Sequence, residues 1–146
     1  MTQPIRLEGL LRREELVTPE QLARARGVRG KTGEPLAEVL IRLEIIDEDD
    51  LFFLLSRGLL APTVPEERLL HLTLGPELRR TVPTSLARRG ICVPFDLDKA
   101  GRRLSVAMID PSDQETVGRL RQTSGAADVR CYLARRSVIL GAIEAG

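Results

Sequence analysis

Residues 6–22 and 35–51 carry one pattern twice, and this duplication restricts the N-terminal part of the chain more than any other feature. Aligning residue 6 with residue 35 pairs Leu7 with Leu36, Leu10 and Leu11 with Val39 and Leu40, Leu16 and Val17 with Ile45 and Ile46, and Leu22 with Leu51. Glu15 and Glu44 stand before the apolar pair each time, and the helix-capping residues Thr18 and Asp47 stand after it. Leu7, Leu10, Leu11 and Glu14 follow helical spacing, so one face is apolar. Thr18-Pro19-Glu20-Gln21 predicts a helix start: Thr18 caps, Pro19 suits the first helical position, and Gln21 completes a capping box. Asp47-Glu48-Asp49-Asp50 repeats that logic with acids at the positive end of the helix. Two copies are too few for a solenoid. They predict a duplicated helix–turn–helix unit whose halves pack together or share one ligand.

Between the copies, Gly27 to Pro35 reads as a loop rich in Gly and basic residues. The third helix is expected from about Leu36 to Leu43 and the fourth from about Glu48 to Arg57. Ala61-Pro62-Thr63-Val64-Pro65 breaks the helical pattern and marks a boundary. Beyond it, Pro76 to Arg89 predicts one or two short helices interrupted at Pro83, where Thr84 or Ser85 can cap. Ile91–Asp96 and Arg103–Asp110 are strand-like and joined by a turn at Asp98–Gly101, a β-hairpin. A helix starting at Asp110-Pro111-Ser112-Asp113 runs to about Thr123 and closes near Gly125. A third strand spans Val129–Ala134, and Ser137 is expected to cap a last helix. Five helices, two strands, a helix, a strand and a helix describe an α+β chain. Its expected parts are a helical repeat subdomain at 1–62, a linker at 63–75, and a small α/β sandwich with a three-stranded sheet at 76–146.

Several chemistries fail on the residues they need. Aromatics are 3% of the chain and Trp is absent, which removes the exposed rings that single-stranded nucleic-acid surfaces stack on. A net charge of +1 supplies no field for a polyanion, although all but Lys31 and Lys99 of the 22 basic residues are Arg; no nucleic-acid partner is expected. Cys92 and Cys131 lack a CxxC partner or a nearby His and read as reduced core thiols. Ala25-Arg26-Gly27-Val28-Arg29-Gly30-Lys31-Thr32 satisfies a loose phosphate-loop pattern, and Leu104–Asp110 resembles an apolar strand ending in a Mg²⁺-binding aspartate. A working phosphate loop follows a strand and opens a helix at its Lys-Ser/Thr. Here a helix precedes it, and Gly33 and Pro35 follow it. His71, the one histidine, has no repeated acidic or thiol partner for a metal site and reads as a partly buried residue near the linker. Ser85, Ser105 and Cys92 sit in no nucleophile motif. Asp47–Asp50 lacks the alternating ligands and Gly of a calcium loop. The chain is therefore expected not to be an enzyme and to hold no metal. No apolar run reaches the length of a membrane span, and no signal-peptide core opens the chain. A cytoplasmic protein without direct membrane insertion is expected.

Arg6-Leu7, Leu10-Leu11, Leu16-Val17-Thr18-Pro19-Glu20-Gln21-Leu22 and Pro35-Leu36 with Leu40, Ile45-Ile46 and Leu51 combine with three later strings. These are Pro83-Thr84-Ser85-Leu86-Ala87-Arg88-Arg89, Val93-Pro94 and Arg103-Leu104-Ser105-Val106-Ala107-Met108-Ile109-Asp110-Pro111, the last being the most specific. On these residues nearly the whole chain resembles the N-terminal domain of the GspE-type assembly ATPases of bacterial type II secretion and type IV pilus assembly. The resemblance implies a docking domain that joins the ATPase to an inner-membrane partner. The chain ends where that family's ATPase core would begin, so it is expected to be either part of a longer protein or a free-standing regulatory copy.

In the MshEN branch of that family the two repeats bind cyclic di-GMP, with a motif of Arg-Leu-Gly, later Leu and Gly, further leucines and a final Gln. Arg6, Leu7, Leu11, Leu22, Leu36, Leu40 and Leu51 fit it. Glu8 and Ala37 take the first Gly position, Glu15 and Glu44 the second, and Arg29 and Gly58 the Gln position, while Pro35 replaces the second Arg. A side chain where backbone must approach a ligand is a steric obstacle, and a carboxylate near a diphosphate opposes it by roughly 1–4 kcal/mol. The residues thus favour a non-catalytic docking module without a resident cofactor, whose apolar helical faces bind a protein. Its partner would be a secretion, pilus or motility ATPase or an inner-membrane assembly component. The alternative is a divergent cyclic di-GMP receptor. In it, Leu7, Leu11, Leu36 and Leu40 contact the bases and Arg6 and Arg29 stack or pair with phosphate. Under either reading those leucines also serve as packing between helices.

Overall fold

The computed structural model describes residues 6–98, 100 and 102–145. The duplicated pattern folds as two helix pairs: α1 (Leu7–Arg13) with α2 (Pro19–Thr32), and α3 (Leu36–Arg42) with α4 (Glu48–Leu59). Both short helices stop in the same way. Glu15 and Glu44 adopt left-handed backbone, with φ of 53° and 59°. Leu16 N–H donates to Leu11 O (3.2 Å) and Glu15 N–H to Arg12 O (3.2 Å), while Ile45 donates to Leu40 O and Glu44 to Ile41 O, both at 3.0 Å. This is the Schellman arrangement, in which the left-handed residue is usually glycine. The second Gly of the family pattern thus has a local meaning here: it falls on a helix stop.

Each second helix has the expected start. Thr18 Oγ1 accepts from Gln21 N–H (3.1 Å) and Gln21 Oε1 from Thr18 N–H (2.9 Å), and Asp47 Oδ1 accepts from Asp50 N–H (2.8 Å). The expected loop at Gly27–Pro35 is mostly helix, because α2 runs on to Thr32 and turns only at Gly33, with φ 74°. A glycine inside a helix costs only about 1 kcal/mol, and the strong start outweighs Gly27 and Gly30. The string that resembled a phosphate loop therefore spends its amides inside a helix. Gly58 of α4 faces Leu10 so closely that a Cβ there would lie 2.4 Å from Leu10 Cδ2.

The segment expected as a linker is built into the fold. Leu133 N–H donates to Pro62 O (2.8 Å) and Val64 N–H to Leu133 O (3.2 Å), a parallel bridge between Thr63 and Leu133. Then α5 (Glu66–Leu70) packs on the last helix. The chain breaks at Pro83 as expected, between α6 (Pro76–Thr81) and α7 (Thr84–Gly90), but no side chain caps α7. α5 and the α6/α7 split thus extend the expected run of five helices before the hairpin.

The sheet order is β1-β2-β3, with β1 (Cys92–Asp98), β2 (Arg103–Met108) and β3 (Asp128–Leu133). β1 and β2 are antiparallel, with a register shift at Phe95 between Pro94 and Asp96, and β2 and β3 are parallel. Lys99 and Gly101 of the expected turn lie outside the described residues. α8 (Gln114–Ser124) makes the crossover that a parallel pair requires, and α9 (Arg136–Ala145) ends the described chain. The architecture is α+β, as the pattern implied.

One hydrophobic cluster runs from Leu7, Leu11 and Leu55 through Val106 and Leu133 to Ile143, so the helix pairs and the sheet share a core. Polar contacts reinforce the junction at the start of α9. Buried Glu38 of α3 pairs with Arg136. Arg135 lies near Asp49 (3.3 Å) and Glu66 (3.5 Å) and over the Phe52 ring. Ser137, expected as a cap, is inside the first turn and donates instead: its N–H (3.1 Å) and Oγ (2.6 Å) both reach the Glu48 carboxylate. The cap comes from α4, which no local rule could indicate.

Candidate functional site

A cleft of about 370 Å³ lies where α1, α3 and α8 begin. Arg6, Leu7 and Glu8 come from the start of α1, Leu36 from the start of α3, and Arg29 from the last turn of α2. The opposite wall is Asp110 and Ser112 from the loop after β2, with Asp113, Gln114 and Glu115 opening α8. Four of the six candidates from the sequence, Arg6, Leu7, Arg29 and Leu36, therefore meet at one place. Leu11 and Leu40 do not reach it; both are fully buried in the core between helices. Of the positions that the family pattern gives to glycine or glutamine, Glu8 and Arg29 line the cleft, whereas Ala37 is buried.

Helix starts attract negative charge, and the chain supplies its own. Leu7 N–H, at the first position of α1, donates to Ser112 Oγ (3.3 Å). Ser112 in turn donates through Oγ (2.6 Å) and N–H (2.9 Å) to Asp110 Oδ1. Asp110 is only 4% exposed. Burial raises its pKa to about 6, against the lowering effect of the two Ser112 bonds; Asp113 raises it further and Arg29 lowers it. Asp113 caps α8, accepting from Thr116 N–H at Oδ1 (3.2 Å) and from Thr116 Oγ1 at Oδ2 (2.6 Å).

Both rims are occupied by ion pairs. Arg26 holds Glu8 with two parallel bonds, Nε to Oε1 at 2.8 Å and Nη2 to Oε2 at 2.7 Å. That fork lowers the Glu8 pKa; partial burial opposes it, and the charges of Arg26, Arg12 and Arg29 assist. Arg29 reaches Glu115 at 3.3 Å, and Glu115 also holds Arg119 at 2.9 Å. The cleft thus presents four carboxylates, Glu8, Asp110, Asp113 and Glu115, beside Arg6 and Arg29.

The acidic wall is what sequence reasoning missed. Asp110–Asp113 was legible as a helix start, but nothing local indicates that it faces Arg6–Glu8. The other tempting groups are placed plainly. Burial pushes the Cys92 thiol up to about 12 and the Cys131 thiol up to about 11, so neither is a thiolate nucleophile at neutral pH. His71 is exposed at the end of α5, not partly buried. Among the described residues no group of three or more His, Cys, Asp or Glu is arranged to hold a metal ion, and no helix is long and apolar enough to cross a membrane.

A family model described as the MshEN domain matches residues 63–145. That span takes in Asp110 to Glu115 and leaves the duplicated helices outside. The type IV pilus assembly ATPase PilB of Myxococcus xanthus (strain DK1622) is 31% identical over 139 residues, which are 95% of this chain but 24% of PilB. The N-terminal domain of XpsE superposes with a TM-score of 0.71 at 23% identity, over 99% of this chain and 97% of that one. A structure of MshE with cdg gives 0.60 at 24% identity, over 97% and 98%. The two structures establish a shared fold that includes the helix pairs. With more than half of its residues matched by the family model, this chain belongs to the MshEN domain family.

Proposed function

We propose that this chain is a non-catalytic regulatory and docking module of the kind found in type IV pilus and type II secretion ATPases, working through protein–protein contact in the cytoplasm. Its partner would be a secretion, pilus or motility ATPase or an inner-membrane assembly component. The observation that carries the reading is the carboxylate wall of the cleft. Glu8, Asp110, Asp113 and Glu115 line the place where Arg6, Leu7, Arg29 and Leu36 gather. A diphosphate entering there meets Asp110 and Asp113, for which no ion pair is seen among the described residues, at a cost of roughly 1–4 kcal/mol each, while Glu8 and Glu115 are already paired with arginines. Arg29, which could offset this, is engaged with Glu115. The likeness to the pilus assembly ATPase PilB supports the docking reading.

A second reading, a cyclic di-GMP receptor, is favoured by two observations. Arg6, Leu7, Arg29 and Leu36 share one cleft, and the structurally similar MshE is described with cdg. Calorimetric titration separates the two. The docking reading expects no heat at high cyclic di-GMP and an unchanged thermal midpoint. Micromolar binding that disappears in Arg6→Ala would overturn it. Saturable binding of this chain to the cytoplasmic part of an inner-membrane assembly component, unaffected by the nucleotide, is the positive result.

A further inference from the structure

Among the described residues the outer face of α4 is unpartnered, and it carries an acid and a base on opposite sides of one exposed Phe. Leu51, Leu54 and Leu55 turn inward, and Gly58 abuts Leu10 of α1. The exposed residues Asp50, Phe53 and Arg57 follow at intervals of three and four, one continuous stripe on the helix, and exposed Leu60 stands just past its end. Phe53 is 53% exposed and Leu60 is 89% exposed. Leu60 also holds left-handed backbone, with φ 54°, an uncommon place for a non-glycine residue. Among the described residues neither Asp50 nor Arg57 has an ion-pair partner, whereas Asp49 beside them lies by Arg135.

We propose that this stripe is a homodimer contact, in which α4 packs antiparallel against α4 of a second copy about a two-fold axis at Phe53. Asp50 and Arg57 lie nearly equally far from Phe53 on either side, two helical turns or about 10.5 Å apart. An antiparallel partner therefore sets Asp50 opposite Arg57 of the second copy, and Arg57 opposite its Asp50, with the two Phe53 rings between them. Leu60 then lies against the start of the other α4. Such an isologous contact requires a self-complementary patch, and a foreign helix would have no need of that symmetry. One helix per copy buries less surface than a stable dimer uses, so the association is weak and concentration-dependent. It needs neither the cleft nor any nucleotide.

The test is sedimentation equilibrium of the whole chain from low micromolar to millimolar concentration, with far-UV circular dichroism to verify folding. The expected result is a monomer–dimer equilibrium. Phe53→Ser, Asp50→Arg and Arg57→Asp each weaken it about tenfold or more. Mixing the Asp50→Arg and Arg57→Asp chains restores association as a heterodimer, and the double variant Asp50→Arg/Arg57→Asp dimerises again. A monomer at every concentration overturns the proposal. So does a dimer indifferent to these changes, or charge reversals that fail to rescue one another.

Discussion

Replacing Asp110 by Asn probes the wall of the cleft through stability alone. The Asp110 carboxyl is buried, and its pKa is raised from 3.8 to about 6, chiefly by desolvation. A raised carboxyl favours the protonated native state. Its contribution is therefore fully present below about pH 3.8 and lost as pH rises through about 6. Two pH units at about 1.4 kcal/mol each correspond to about 3 kcal/mol surrendered between pH 4 and pH 7. Asparagine keeps Oδ1 as the acceptor for both Ser112 bonds and carries no charge. Asp110→Asn is expected to exceed the parent by up to about 3 kcal/mol at pH 7, with the gap closing towards pH 4. Urea unfolding at pH 4, 5, 6 and 7 measures this. A gap constant across pH, or a variant less stable at pH 7, refutes the claim that burial of this charge opposes folding.

Glu15→Gly and Glu44→Gly should each stabilise by about 0.5–1 kcal/mol. They release left-handed strain of about 1–2 kcal/mol, offset by the larger unfolded-state freedom of glycine. Both glutamates are exposed, so a loss in denaturant midpoint would contradict the helix-stop account. Gly58→Ala should destabilise by up to about 2 kcal/mol: its Cβ would meet Leu10 at 2.4 Å, and overpacking of about 1–3 kcal/mol exceeds the helix gain of about 1 kcal/mol. A stabilised variant in thermal unfolding would mean that Leu10 repacks freely. Arg136→Leu should cost about 2–4 kcal/mol by stranding buried Glu38, less than for a fully buried pair because Arg136 stays partly exposed. Recovery in Arg136→Leu/Glu38→Leu, read in the same unfolding assay, would tie that cost to the stranded charge.

Much of the architecture follows from short-range patterns. The period of Leu7–Leu11, the Thr18 and Asp47 caps, the break at Pro83 and the two strands around Asp98–Gly101 all act over a few residues. A single sequence displays such signals fully. The resemblance that led to the family rested on the same local strings. Half of the cleft was legible too, since Arg6, Leu7 and Leu36 belong to the repeat and Arg29 falls on the Gln position of the family motif. The acidic half was not, because Asp110 and Leu7 become neighbours only through packing, by way of Ser112.

The chain's own residues, taken in order, determine where helices begin and which faces are apolar, because capping and periodicity are properties of consecutive side chains. Tertiary packing decided what those rules leave open. It drew the 63–75 segment into the fold. It let Glu48 satisfy the start of α9, and it set the charge that faces Arg6 and Arg29. In each case the deciding partner lies far away in sequence. These partners meet only where the shared core between the helix pairs and the sheet holds them together.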